Sequence, residues 1–187
     1  TMTSKGCSPL NITLTNLSSG ATSYLWDFGD GKKSNDFSPQ YTYFSDETQN
    51  YTISLTATSQ YGCSDTKDSS ISSLSKPIAS FSILNSPGCS PYPISIVNNT
   101  TNADTLFWDF GDESTRTDLT PQNFTHTFYN NDTVHNQYNI MLVAKNKNGC
   151  NDTVVQNALI YPRITSYFDV NISGCSPLKI VTDNRSL

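Results

Sequence analysis

Trp26-Asp27-Phe28-Gly29-Asp30 returns as Trp108-Asp109-Phe110-Gly111-Asp112, 108 − 26 = 82 residues later in a chain of 187. A five-residue identity at domain-length spacing makes the chain a tandem array of one small module, so each module must close a core by itself. Other landmarks hold the same register. Gly6-Cys7-Ser8-Pro9 recurs as Gly88-Cys89-Ser90-Pro91 and as Gly174-Cys175-Ser176-Pro177, the first two 19 residues before their tryptophans (26 − 7 and 108 − 89). Tyr51 to Ala57 matches Tyr138 to Ala144, and Gly62-Cys63 and Gly149-Cys150 follow at equal distance. Only the stretch from tryptophan to tyrosine changes length, 51 − 26 = 25 against 138 − 108 = 30 residues. Such variation marks loops, which accept insertion where paired strands do not.

The modules run over 1–75 and 76–161, with a third opening at 162–187. The first lacks most of its opening strand and the third is truncated, as in a piece of a longer array. Pro77 and Pro162 at the junctions imply short, stiff linkers.

Charged residues make up 14% of the chain, against about 25% in an average soluble domain; Ser, Thr and Asn take their place. A net charge of −5 without a basic cluster excludes nucleic acid as partner. No apolar run is long enough for direct membrane insertion as a helix. The polar, cysteine-bearing composition points to an extracellular location, on a cell surface.

Strand signals dominate. Leu10 to Leu14 and Tyr51 to Ala57 alternate apolar and polar with period two, as do Phe81-Ser82-Ile83, Ile94-Ser95-Ile96 and Tyr138 to Ala144. Alternation of this kind puts one face in a core and a Thr/Ser/Asn face in water. Asp30-Gly31, Ser86-Pro87-Gly88 and Asn148-Gly149 punctuate the strands as turns. About seven short strands per module argue an all-β chain of tandem immunoglobulin-like β-sandwiches.

Tyr24-Leu25-Trp26-Asp27-Phe28-Gly29-Asp30-Gly31 resembles the signature of PKD domains, and Tyr41-Thr42-Tyr43 and His126-Thr127-Phe128 resemble that family's His-Thr-Tyr position. The first copy departs from it by Tyr41 in place of His, the second by Glu113 in place of the glycine after Asp112. The latter implies a different turn, because glycine's tolerance of positive φ is lost. The Gly-Cys elaborations are similar to those of large gliding-motility and surface adhesins of Bacteroidota.

Within such a sandwich Trp26 and Trp108 fill the core. Asp27, Asp30, Asp109 and Asp112 cap a tight turn by accepting backbone N–H groups. Some relatives bind calcium through clustered oxygens, yet two aspartates per turn are too few to assign a metal, and no other cofactor is implied. His126 and His135 both lie in the second module, so no histidine chemistry repeats with the fold. No base stands beside a nucleophile, and the chain reads as non-catalytic.

Five cysteines without a Cys-x-x-Cys pair argue against zinc and for disulfides. The Gly-Cys-Ser-Pro cysteine falls in the turn between the first two strands, the Gly-Cys cysteine in the turn between the last two. These turns lie at opposite ends of a sandwich, whereas a disulfide needs Cα atoms within about 7 Å. A bridge between neighbouring modules, Cys7–Cys150, is therefore favoured, with Cys63, Cys89 and Cys175 pairing to modules beyond this sequence. Cys7–Cys63 with Cys89–Cys150 stays open as the rival.

The expectation is a stalk or filament segment of a bacterial surface adhesin, serving gliding or attachment. Its partners are the neighbouring modules of its own chain, and surface polysaccharide or other cell-surface proteins. The alternative is an accessory module of a secreted hydrolase, which wants a flat aromatic row; Tyr24, Tyr41, Tyr43, Phe44 and Tyr61 are candidates. Thr105, Thr133 and Thr153, each after an aspartate and before an aliphatic residue, resemble Bacteroidota O-glycosylation sites.

Overall fold

The computed structural model describes residues 4–171 and 181–184, and every regular element among them is a strand. The first repeat carries β1 (Ser4–Cys7), β2 (Leu10–Thr13), β3 (Ser23–Asp27), β4 (Lys33–Ser34), β5 (Gln40–Tyr43), β6 (Gln49–Thr58) and β7 (Ser64–Leu74). The second carries β8 (Phe81–Leu84), β9 (Gly88–Cys89), β10 (Tyr92–Asn98), β11 (Thr105–Asp109), β12 (Thr115–Asp118), β13 (Phe124–Phe128), β14 (Asn136–Lys145) and β15 (Asn151–Tyr161). β16 (Phe168–Asn171) and β17 (Val181–Asn184) form a short antiparallel pair.

Two compact units result. Unit 1 comprises Thr1–Ile78 with Asn102–Asp104 and Ala144–Asp152; unit 2 comprises Ala79–Thr101, Thr105–Val143 and Thr153–Leu187. Each repeat builds an immunoglobulin-like sandwich. One sheet of the first repeat has the order β1-β7-β6-β3-β4 and faces the pair β2-β5; in the second repeat β12-β11-β14-β15-β9 faces β13-β10-β8.

The period-two sequences explain these layers. In β10, Ile94 and Ile96 are fully buried while Ser95 between them is partly exposed. In unit 1 Trp26, Phe28, Tyr43, Ile53 and Ile71 form the core, and Leu10, Ile12, Leu14 and Leu55 pack against it. Unit 2 buries more: Phe81, Leu106, Trp108, Phe110, Phe128, Ile140, Leu142 and Ile160 are all at most 2% exposed.

The edge of each smaller sheet differs. β8 lies antiparallel to β10, and its Phe81 stands edge-on to Trp108 with ring centroids 5.1 Å apart. In unit 1, among the described residues, β2 has β5 as its only strand neighbour. A groove of about 690 Å³ runs beside it, floored by Ile12, Leu14, Trp26, Ile53 and Leu55.

One expectation is corrected. Cys7 is the last residue of strand β1, not part of a turn between the first two strands; β1 pairs in parallel with β7, placing Cys7 opposite Leu74. The short parallel strand satisfies backbone groups that a turn would leave to solvent. Gly88-Cys89 repeats the arrangement against Ile160-Tyr161.

Replacing Trp108, 0% exposed, by alanine removes its packing and leaves a cavity. The expected loss is about 3–5 kcal/mol in urea denaturation of unit 2. Trp26→Ala costs less in unit 1, because its ring already borders the open groove.

Candidate functional site

The repeated pentapeptide ends a core strand and turns the chain back on itself. Asp27 Oδ1 accepts the Gly29 N–H at 3.0 Å and Asp30 Oδ1 accepts the Lys32 N–H at 3.1 Å; Asp109 and Asp112 do the same for Gly111 and Ser114 at 2.9 and 3.1 Å. Each aspartate thereby holds a backbone donor two residues on. The loop closes by Phe28 N–H to Lys32 O at 3.0 Å, and by Phe110 N–H to Ser114 O at 3.2 Å. Glycine between them is a steric requirement as well as a conformational one. At Gly29 (φ +77°) a Cβ would lie 2.5 Å from the Thr52 carbonyl oxygen, and at Gly111 (φ +73°) 2.9 Å from that of Asn139.

The expectation of a different second turn is overturned. Glu113 takes φ +69°, in the left-handed region occupied by Gly31 at φ +89°, and the hydrogen bonds around it are those of the first turn. The closing bonds hold the loop shape, and Glu113 carries the strain.

An aromatic column anchors each turn. Phe28 stacks on Tyr41 at 3.8 Å, and the Tyr41 hydroxyl donates to Asp30 Oδ2 at 2.6 Å. Burial first, then the Asp30 carboxylate, pushes the Tyr41 phenol up to about 12, which keeps it a donor. Tyr43 donates to the Phe28 carbonyl at 2.7 Å. In unit 2 Phe110 stacks on His126 at 3.9 Å, and His126 Nε2 lies 2.7 Å from Asp112 Oδ2. Burial works to raise the Asp112 pKa, but hydrogen bonds from Ser114 and His126 outweigh it and hold the carboxyl below the ordinary value of 3.8. Asp27 is held low by the Gly29 N–H and by Lys33, 3.1 Å away.

Ser114, His126 and Asp112 thus meet, but not as a catalytic triad. A triad carboxylate holds one imidazole nitrogen while the hydroxyl faces the other. Here Nε2 faces both, Asp112 at 2.7 Å and Ser114 Oγ at 3.5 Å, and that hydroxyl donates to Asp112 itself. All four motif aspartates are engaged by turn donors. Among the described residues no three His, Cys, Asp or Glu side chains gather as a metal site.

Cys7 and Cys150 form a disulfide with Cα atoms 5.7 Å apart and 143 residues between them in sequence; both belong to unit 1. Cys150 is 1% exposed. The rival pairing is not made, as Cys63 and Cys89 are exposed free thiols. Cys175 lies outside the described residues. A buried asparagine that sequence reasoning missed organises the bridge. Asn146 donates from Nδ2 to Ser75 O at 2.9 Å, and its Oδ1 accepts from the N–H groups of Asn148 and Cys150 at 3.1 and 3.2 Å. Asn102 Nδ2 donates to Lys76 O at 2.9 Å, and Lys76 Nζ lies 3.5 Å from Asp152.

A second missed asparagine, Asn130 in unit 2, is fully buried. Its Nδ2 donates to the carbonyls of Val134 and Ile160 at 2.8 and 2.9 Å, its Oδ1 accepts the Asp132 N–H at 2.9 Å, and its own N–H reaches Ser90 Oγ at 2.7 Å. Neither asparagine has a signal in sequence, because its partners are distant along the chain. Thr133 and Thr153 are exposed and Thr105 is half-buried at the start of β11. The aromatic row of the hydrolase reading is not assembled: Tyr43 is buried, Tyr41 is stacked, and Tyr24 packs edge-on to Phe37, leaving Phe44 and Tyr61 exposed.

The architecture defines an immunoglobulin-like β-sandwich protein. The family model described as PKD domain matches residues 2–72, which supports a PKD domain in the first repeat. No curated protein matches the chain. Among solved structures it is similar to fibronectin(III)-like modules of Clostridium thermocellum CbhA, at 10% identity over 86% of this chain and 90% of that one, TM-score 0.35. It is also similar to a 1.5-MDa bacterial ice-binding adhesin, at 13% identity over 90% and 65%, TM-score 0.33. Protocadherin gamma B2 extracellular cadherin domains 3–6 match at 10% identity over 99% and 54%, TM-score 0.36. Likenesses this remote say nothing of what this chain binds. No helix of the described residues is long and apolar enough to cross a membrane.

Two outcomes follow from the turns. Glu113→Gly relieves a left-handed penalty of about 1–2 kcal/mol and adds about 0.5–1 kcal/mol of unfolded-chain entropy. The expected net gain is about 0.5–1 kcal/mol in urea denaturation. For Asp112, a lowered folded-state pKa means stability present above the unfolded value and lost as pH falls below about 3.8. Asp112→Asn is therefore expected to be less stable than the parent at pH 7, with the gap narrowing at pH 3 when both are unfolded in urea.

Proposed function

We propose that this chain is a non-catalytic stalk segment of a large bacterial cell-surface adhesin, built from modules at 1–75, 76–161 and 162–187 and serving attachment or gliding. The observation that supports it is the disulfide joining the Gly-Cys-Ser-Pro cysteine of the first repeat to the Asn-Gly-Cys turn of the second, 143 residues away. Tension applied at the two ends of the chain passes from residue 7 to residue 150 through two sulfur atoms. Both tryptophan cores lie inside the closed loop and outside the load path. A module that must hold a distal element under drag benefits from this, since packed sheets yield to force where a covalent bond does not.

Cys63, Cys89 and Cys175 are available for staples of the same kind to further modules, and such bonds place the protein in an oxidising, extracellular setting. The aspartate turns act as structural caps, and the reading requires no metal. Exposed Thr133 and Thr153, with Thr105, would carry short glycans on the flank. Partners are neighbouring modules first and surface polysaccharide or protein second.

Single-molecule pulling on the oxidised chain from its termini tests this. Unfolding is expected to release only residues outside the 7–150 loop. Cys150→Ser, or reduction, is expected to add roughly 470–510 Å of contour length, at about 3.3–3.6 Å per residue. Release of that length by the oxidised parent sinks the load-path reading.

A further inference from the structure

In unit 2 the edge of the smaller sheet is filled. β8 pairs with β10 so that Phe81 lies opposite Asn98 and Ile83 opposite Ile96. Phe81 is 2% exposed against Trp108, and the Ser80 carbonyl accepts the Asn99 N–H at 2.9 Å. The positions 82 residues earlier in unit 1 are Trp26 for Trp108 and Leu17 for Asn99. There the groove beside β2 stands open among the described residues, and Leu17 is 88% exposed.

The chain also carries another copy of the filling segment. With the Gly-Cys anchors 175 − 89 = 86 residues apart, Ile78, Phe81 and Ser82 correspond to Ile164, Tyr167 and Phe168. These three are 74%, 54% and 72% exposed. An apolar strand and an apolar groove that fit one another by internal repetition are both uncovered.

The free thiols point the same way independently. Cys63 sits in the turn that Cys150 occupies: Ser59 N–H to Cys63 O at 2.9 Å and Gly62 N–H to Ser59 O at 3.0 Å match Asn146 N–H to Cys150 O and Gly149 N–H to Asn146 O, both 3.0 Å. Cys89 pairs in parallel with Tyr161 as Cys7 pairs with Leu74. The existing disulfide joins the Gly-Cys-Ser-Pro cysteine of one repeat to the turn cysteine of the repeat that follows it. Cys89 therefore calls for a repeat after the second, and Cys63 for a repeat before the first. One arrangement meets both demands: the first repeat of one copy follows the second repeat of another. That same order brings Ile164–Phe168 of one copy to the groove of the next.

We propose that a second copy of this chain docks head to tail, laying its Ile164–Phe168 segment along β2 over Trp26 by strand addition and joining its Cys89 to Cys63. The covalent step is thiol–disulfide exchange with a small disulfide such as oxidised glutathione. Two thiols lose two electrons and two protons, one sulfur–sulfur bond forms, and two molecules of reduced glutathione leave. The contact is heterologous and does not close, so assembly runs to open chains. The inference rests on the modular reading above and not on the load-bearing role; its failure leaves the Cys7–Cys150 pulling result unaffected.

The test uses the full chain in a Cys175→Ser background, in oxidised glutathione with Cys7–Cys150 intact. Non-reducing electrophoresis is expected to show a ladder of dimers, trimers and longer species, with a Cys63–Cys89 peptide by mass spectrometry. Cys63→Ser and Cys89→Ser chains are each expected to stay monomeric alone and to give only a dimer when mixed. In the Cys63→Ser/Cys89→Ser double variant, sedimentation velocity is expected to show weak association that Tyr167→Asp weakens at least tenfold. A Cys63–Cys63 dimer from the Cys89→Ser chain, no ladder, or association indifferent to Tyr167→Asp overturns the proposal. So does binding of a synthetic Leu74–Asn85 peptide in the groove without self-association, which would make the groove an acceptor for a different chain.

Discussion

Each module depends on one close approach, the passage of the Asp-Phe-Gly backbone across the strand carrying the paired tyrosine. At Gly29 and Gly111 the backbone leaves no room for a β-carbon against Thr52 and Asn139. That contact fixes where the tryptophan strand ends, and therefore how deep its indole reaches between the sheets. From the same point the chain turns under the control of two aspartates, and an aromatic column rises from the phenylalanine. Core, turn and column are consequences of one backbone crossing, which is why five residues are repeated together.

The two units solve the same problem with different side chains. Tyr41 and His126 occupy matching positions, stack on matching phenylalanines and bond to matching aspartates. What the position needs is a flat ring with a polar edge, and both residues provide it. Ser114 is drawn into the second cluster because histidine is shorter than tyrosine and leaves space near the carboxylate. Proximity of serine, histidine and aspartate here is a by-product of packing.

The strands were legible in sequence because burial on one face of a sheet imposes period two, as in Leu10 to Leu14 and Ile94-Ser95-Ile96. The aspartate caps were legible because their partners lie two residues away. Glu113 misled because a strained φ at one residue is a smaller penalty than losing the hydrogen bonds that close the turn. Cys7 misled because Gly, Ser and Pro around it signal a turn, whereas the strand they flank is held by pairing with residues 67 positions on, 74 − 7. Asn130 and Asn146 were silent for the same reason: their roles are set by tertiary partners, and a buried amide has no period.

Asn130 deserves a further word because of where it stands. The connection from Phe128 to Tyr138 is 10 residues long, against 8 from Tyr43 to Tyr51 in the first repeat. Asn130 ties both flanks of its apex, through Asp132 and Val134, to Ile160 in the sheet. The sandwich is thus insulated from whatever sequence the apex carries. A scaffold with this device can diversify its outline repeat by repeat while its internal register stays fixed, which makes the apex a natural grafting point for foreign peptides.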